Sequence, residues 1–156
     1  SLDFMHQLMI IKEEEVREIM AKRQLDDDSG QGLGDLASRK ERIQEATLAL
    51  ERGDFASVQD IVGKDEEVRY YLVNLYNSDG IHNRKNGDYD KAIVQYQKAI
   101  VIQPADENLF YNMARAYLEK EERAEAENAI NHALEINPDF REGIQLKNFI
   151  AAGEAF

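Results

Sequence analysis

The amino-acid sequence predicts an all-α protein assembled from antiparallel helix pairs, with an extra helix at its N-terminal end. Three observations carry that reading. Helix-favouring Ala, Glu, Lys, Leu, Gln and Arg fill most of the 156 residues, and proline occurs only at Pro104 and Pro138. No segment alternates apolar and polar residues long enough to form a half-buried strand. The two prolines stand 34 residues apart, and other residue types recur at the same interval.

Bulk properties narrow the function classes. Hydrophobic residues make up 43% of the chain, enough for a core. The longest apolar runs, residues 8–11 and 99–102, fall far short of the roughly 20 residues that span a bilayer. No basic start followed by an apolar stretch marks a signal peptide, so none is expected. The chain has no cysteine, which removes disulfides and thiolate chemistry and fits a cytoplasmic location. A net charge of −12 opposes binding to nucleic acid or to an anionic membrane and permits basic partners.

Residues 1–25 read as one helix. Phe4, Leu8, Ile11, Val16, Ile19 and Met20 form an apolar stripe, and Lys12, Glu13, Glu14, Arg17, Glu18 and Lys22 form the opposite face. Such a stripe requires burial, either against the rest of the chain, in a homodimer, or in a preceding domain. Residues 26–38 open with DDDSGQGLG and read as an acidic, glycine-rich linker.

Residues 39–72 read as a worn helix pair. Ala46, Gly53, Phe55, Val58 and Val62 hold the places taken 34 residues later by Gly80, Gly87, Tyr89, Ala92 and Tyr96. Its second helix is expected to stop near Gly63, with Asp65 capping a helix that runs from Glu66 to Asn86.

Residues 73–106 and 107–140 are the two well-formed pairs. Their closing strings, KAIVQYQKAIVIQP and EAENAINHALEINP, each end at a proline that cannot continue the helix. Ala92, Tyr96 and Ala99, like Ala126, Ile130 and Ala133, step by i+4 and then i+3, which places them on one helix face. Small residues there allow two helices to approach closely. Gly87 is expected to end one helix in a left-handed conformation, and Asp88 to cap the next. Residues 141–156 supply a last helix, with Ile144, Leu146, Phe149 and Ile150 as its apolar face, expected to cap the array.

The order of large, small and aromatic residues, followed by small, large, small and proline, resembles the tetratricopeptide repeat. One unit reads Phe110, Ala114, Tyr117, Ala126, Ile130, Ala133 and Pro138; the other reads Tyr76, Gly80, Asn83, Ala92, Tyr96, Ala99 and Pro104, with Asn83 where an aromatic is expected. The resemblance covers residues 39–156 and implies a superhelix whose first helices line a concave groove. By position it implies a partner-binding set of Asn74, Asn77, Ile81, Arg84 and Lys85 with Asn108, Tyr111, Asn112, Arg115 and Glu119, preceded by Lys40, Ile43 and Thr47. Arg84, Lys85 and Arg115 make this face more basic than the chain as a whole, and the asparagines are suited to bonding an extended peptide backbone. One subclass grips the C-terminal carboxylate of heat-shock chaperones with a Lys, Asn and Arg set. Only Asn112 matches that set, so this ligand is not expected.

Catalytic and metal constellations are not evident. His6, His82 and His132 fall in separate helices without ligand spacing, and no serine sits in a strand–turn–helix setting. A calcium loop needs glycine at its sixth place and glutamate at its twelfth. Counting from Asp26, the sixth place is Gln31; counting from Asp27, it is Gly32 but the twelfth is Ser38. Gly30, Gly32 and Gly34 lack the strand that precedes a dinucleotide-binding turn. The sequence therefore predicts no catalytic residue, metal or cofactor. The expected function is a protein-interaction scaffold holding a partner protein or peptide, as the C-terminal part of a multidomain bacterial signalling or assembly protein. Two alternatives stay open: a substrate-recruiting segment of an enzyme whose catalytic domain lies elsewhere, and a homo-oligomer without an external ligand.

Overall fold

The computed structural model describes residues 32–153. The expected helix over residues 1–25 and the opening of the expected linker lie outside the described residues. The chain divides into two units, Ser1–Glu45 and Ala46–Phe156. Seven helices and no strands are found among the described residues: α1 (Gly32–Glu51), α2 (Phe55–Lys64), α3 (Glu66–Lys85), α4 (Tyr89–Ile102), α5 (Glu107–Glu119), α6 (Arg123–Ile136) and α7 (Arg141–Ala151). None is long and apolar enough to cross a membrane.

One boundary differs from the sequence reading. Residues 32–38, assigned to a linker, are the opening turns of α1. The glycines there give way to Leu33, Leu36 and Ala37, which favour helix, and Arg42 Nη1 donates to Ser38 Oγ at 2.7 Å one turn away.

Inside the second unit, local chemistry sets the helix ends. Asp65 Oδ1 accepts from the backbone N–H groups of Glu67 and Val68, each at 3.2 Å, so α2 stops at Lys64 and α3 starts at Glu66. The repeat border drawn at residues 72 and 73 consequently falls inside α3, which has 20 residues against 13 in α5. Asp88 takes the N-cap position of α4 but makes no side-chain cap bond. The equivalent Asp54 does cap α2, because Ser57 Oγ donates to its Oδ2 at 2.6 Å and fixes the carboxylate. Lys91 stands where that serine would be and offers no such hydroxyl.

The turn inside each pair repeats with the sequence. Gly53, Gly87 and Glu121 adopt φ values of 72°, 83° and 70°. The backbone N–H one residue later closes the same loop each time, from Asp54 to Ala49 O at 2.9 Å, Asp88 to Asn83 O at 2.8 Å and Glu122 to Tyr117 O at 2.9 Å. Asn83 thus keeps the backbone duty of its position although it lacks the aromatic ring.

Packing follows the small–large alternation. Ala46, Gly80 and Ala114 are buried on α1, α3 and α5, and Val62, Tyr96 and Ile130 are buried on their partner helices. A Cβ on Gly80 would stand 2.5 Å from Tyr96 Cε1, so only glycine lets that ring cross α3. Ala114, Ala126, Ile130 and Ala133 share one core with Phe140, Leu146 and Ile150, which seats α7 on the last pair. Ile144, expected on that apolar face, is 41% exposed. It falls a turn-fraction round the helix from the buried line of Gly143, Leu146 and Ile150. A second core of Ala92, Ile93, Tyr96 and Ala116 joins α4 to α5 and so joins one pair to the next. At the rim of that joint Lys120 Nζ reaches Asp90 at 2.8 Å and Glu122 at 2.6 Å, and these two carboxylates raise the pKa of the ammonium.

Candidate functional site

The first helices of the two well-formed pairs, α3 and α5, are tied side by side by two polar rungs. Asn112 Nδ2 donates to Asn77 Oδ1 at 2.9 Å, and Arg84 Nη1 donates to Glu119 Oε1 at 2.9 Å. Both rungs join residues 35 positions apart. Along either helix they lie two turns from each other, which keeps them on one face. Midway between them stand Ile81 on α3 and Arg115 on α5, each at an i+3 or i+4 step from both rungs. Ile81 packs on the core formed by Ala92, Ile93, Tyr96 and Ala116. The expected set Asn77, Ile81, Arg84, Asn112, Arg115 and Glu119 is therefore one continuous strip.

Part of the positive charge of that strip is compensated within it. The Arg84 and Glu119 side chains are only 11% and 17% exposed, and their charges compensate each other. Arg115 is half-buried and makes no ion pair among the described residues. The Tyr96 hydroxyl rises toward the strip across Gly80, buried and without a hydrogen-bond partner. Burial raises the pKa of this phenol. Arg84, close by but outside good hydrogen-bond geometry, opposes that rise, as does the charge of Arg115, while Glu119 adds to it.

The remaining expected residues are placed less centrally. Asn74 is exposed and donates through Nδ2 to the Tyr70 carbonyl at 2.8 Å; Asn108 is exposed and donates through Nδ2 to Asp106 Oδ1 at 3.3 Å. Each thus spends an amide proton on its own helix. Lys85 is exposed at the far end of α3. Tyr111 meets Phe140 edge to face, with centroids 5.6 Å apart, and belongs to the seating of α7. The Thr47 hydroxyl engages the buried Tyr76 phenol, whose pKa is raised by desolvation in spite of that bond. In the other unit, Lys40 is exposed and Ile43 half-buried.

No group of His, Asp and Glu residues suited to hold a metal is found among the described residues. His82 Nε2 bonds with Asn86 Nδ2 at 3.1 Å, and His132 stacks on Phe110 with centroids 5.4 Å apart. His6 lies outside the described residues. Sequence reasoning missed the Tyr96 hydroxyl, having treated the residue as core. The signal available was the contrast with Ile130 at the equivalent place, which carries no polar atom.

Two family descriptions, TPR repeat and tetratricopeptide repeat, match residues 83–121 and 108–140. Residues 83–140 are tetratricopeptide repeats. The matched span begins late in α3 and runs through α4, α5 and α6. Among solved structures, the chain is similar to an O-GlcNAc transferase mutant of Thermobaculum terrenum, with 19% identity and a TM-score of 0.49 over 78% of this chain. It spans 24% of that transferase chain. It is also similar to the type III secretion chaperone SycD of Yersinia enterocolitica, solved in complex with a peptide of the translocator YopD. There the identity is 21% and the TM-score 0.43, over 74% of this chain and 88% of that one. No curated protein matches the sequence.

Proposed function

We propose that this tetratricopeptide-repeat chain is a non-catalytic, cytoplasmic interaction scaffold that holds an extended segment of a partner protein along the face shared by α3 and α5. The observation behind this reading is the Asn112–Asn77 bond. It uses one Asn112 amide proton and the Asn77 carbonyl oxygen, leaving the Asn77 amide N–H groups and the Asn112 Oδ1 outside that bond. A donor and an acceptor of this kind match the C=O and N–H of one extended residue, which point the same way. The bond between the two side chains also fixes them before a ligand arrives, which lowers the ordering cost of binding. A chain of net charge −12 is poorly suited to nucleic acid, which leaves protein as the fitting class of partner.

The test has two steps. Affinity capture from the source cell with the wild-type chain identifies the partner, and overlapping peptides of that partner are then titrated against wild type and Asn77→Ala/Asn112→Ala. One linear segment is expected to bind wild type and to lose at least about tenfold in affinity with the variant, the loss expected for two backbone hydrogen bonds. Equal affinity for both proteins, at equal helicity, rules out this face.

A further inference from the structure

We infer that Arg115 anchors an acidic side chain of the bound segment, an inference that rests on the reading of the α3–α5 face as a peptide site. Arg115 occupies the middle of the strip, between the Asn112–Asn77 and Arg84–Glu119 rungs. The natural intrahelical partner of Arg115 is Glu119, one turn further along α5. That carboxylate is engaged by Arg84 of the neighbouring helix instead. Two guanidinium groups and one carboxylate therefore leave one uncompensated positive charge on a face of an otherwise strongly acidic chain.

The surroundings sharpen this charge. Ile81, packed on the apolar joint between the repeats, stands at the same level of the strip as Arg115, which is half-buried and so less screened than a fully exposed charge. An aspartate or glutamate side chain supplies what is missing, because a guanidinium binds a carboxylate through two parallel N–H···O bonds. Nucleic acid does not fit, since one net positive charge does not offset the field of the whole chain. The partner is thus a protein segment with an acidic residue beside the residue whose backbone meets Asn77 and Asn112.

The probes are three blocked pentapeptides, acetyl-Ala-Ala-X-Ala-Ala-amide, in which X is Glu, Gln or Lys. Each is titrated into the full chain while the Nε–Hε resonance of Arg115 and the side-chain amides of Asn77 and Asn112 are followed by NMR. The Glu peptide is expected to move the Arg115 resonance saturably and to bind about tenfold more tightly than the Gln peptide, the increment of a charge-assisted hydrogen bond. The Lys peptide is expected to bind more weakly than either. Arg115→Gln is expected to erase the difference between Glu and Gln. If all three peptides move Asn77 and Asn112 alike and Arg115 does not discriminate, the anchor is wrong and the peptide face stands. If the Arg115 shift is reproduced by sodium chloride at equal ionic strength, the anchor is also wrong. If no peptide moves Asn77, Asn112 or Arg115, the peptide face and the anchor are both overturned.

Discussion

The Tyr96 ring lies across Gly80 so closely that a Cβ on the glycine would sit 2.5 Å from Cε1 and 2.9 Å from Cζ. The next repeat fills the same two places with Ala114 and Ile130, both fully buried. Gly80→Ala should therefore cost about 2 kcal/mol in urea-unfolding free energy, as overpacking does. Tyr96→Ile in the same chain should make the two changes markedly less costly than their sum, since Ala–Ile is the combination the neighbouring repeat uses. Strict additivity in the double-mutant cycle would refute this pairing.

The left-handed turn at Glu121 predicts a gain. Gly53 and Gly87 occupy the equivalent positions without a Cβ penalty, whereas Glu121 holds φ 70° with a full side chain. Glu121→Gly should raise stability by about 0.5–1 kcal/mol, and Gly87→Ala should lower it by about 1 kcal/mol. Thermal unfolding of the two variants beside wild type measures both signs.

Arg84 and Glu119 form the least exposed ion pair of the shared strip. Arg84→Met takes the cross-helix partner from the partly buried Glu119 carboxylate, at an expected cost of about 2 kcal/mol. Adding Glu119→Leu should recover most of that loss, because the buried charge is then gone as well. Chemical denaturation of the single and double variants decides; a double variant as unstable as Arg84→Met would sink the argument.

The buried phenols predict an alkaline limit. Desolvation raises the pKa of both Tyr76 and Tyr96 above the ordinary value of 10.0. The folded chain then holds these protons more tightly than the unfolded one. Their contribution is fully present below the unfolded value and is lost as pH rises through the raised folded values. Urea unfolding followed from about pH 9 upward should show stability falling with pH, and Tyr96→Phe should flatten the slope.

Much of this architecture was legible because it is written locally. Pro104, Pro138, Gly87 and Asp65 mark helix ends through backbone chemistry that needs no distant partner. Ala92, Tyr96 and Ala99 declare a buried face by spacing alone. Features that depend on a neighbour were not legible. Whether Asp88 caps α4 turns on Lys91, which lacks the hydroxyl that steadies Asp54. Whether Ile144 is covered turns on which side of α7 meets Phe140 and Leu134, and Gly143 takes that side. The pairing of charges across the strip was not legible either. The facing residues of α3 and α5 are offset by 35 rather than by the repeat length, and that shift brings Glu119 to Arg84.

The core that joins the two repeats has a consequence for how the face exists at all. Tyr96 belongs at once to the packing of its own helix pair and to the joint with Ala116 of the next. In a linear array such shared interfaces make neighbouring units fold as one cooperative block. Both rungs of the strip bridge that joint, so neither repeat alone presents the face. If the strip holds a partner as proposed, the smallest competent recognition element is a pair of adjacent repeats, and its occupancy is coupled to the integrity of the seam beneath it. Slow amide exchange across α4 and α5 would then deepen together when the face is filled.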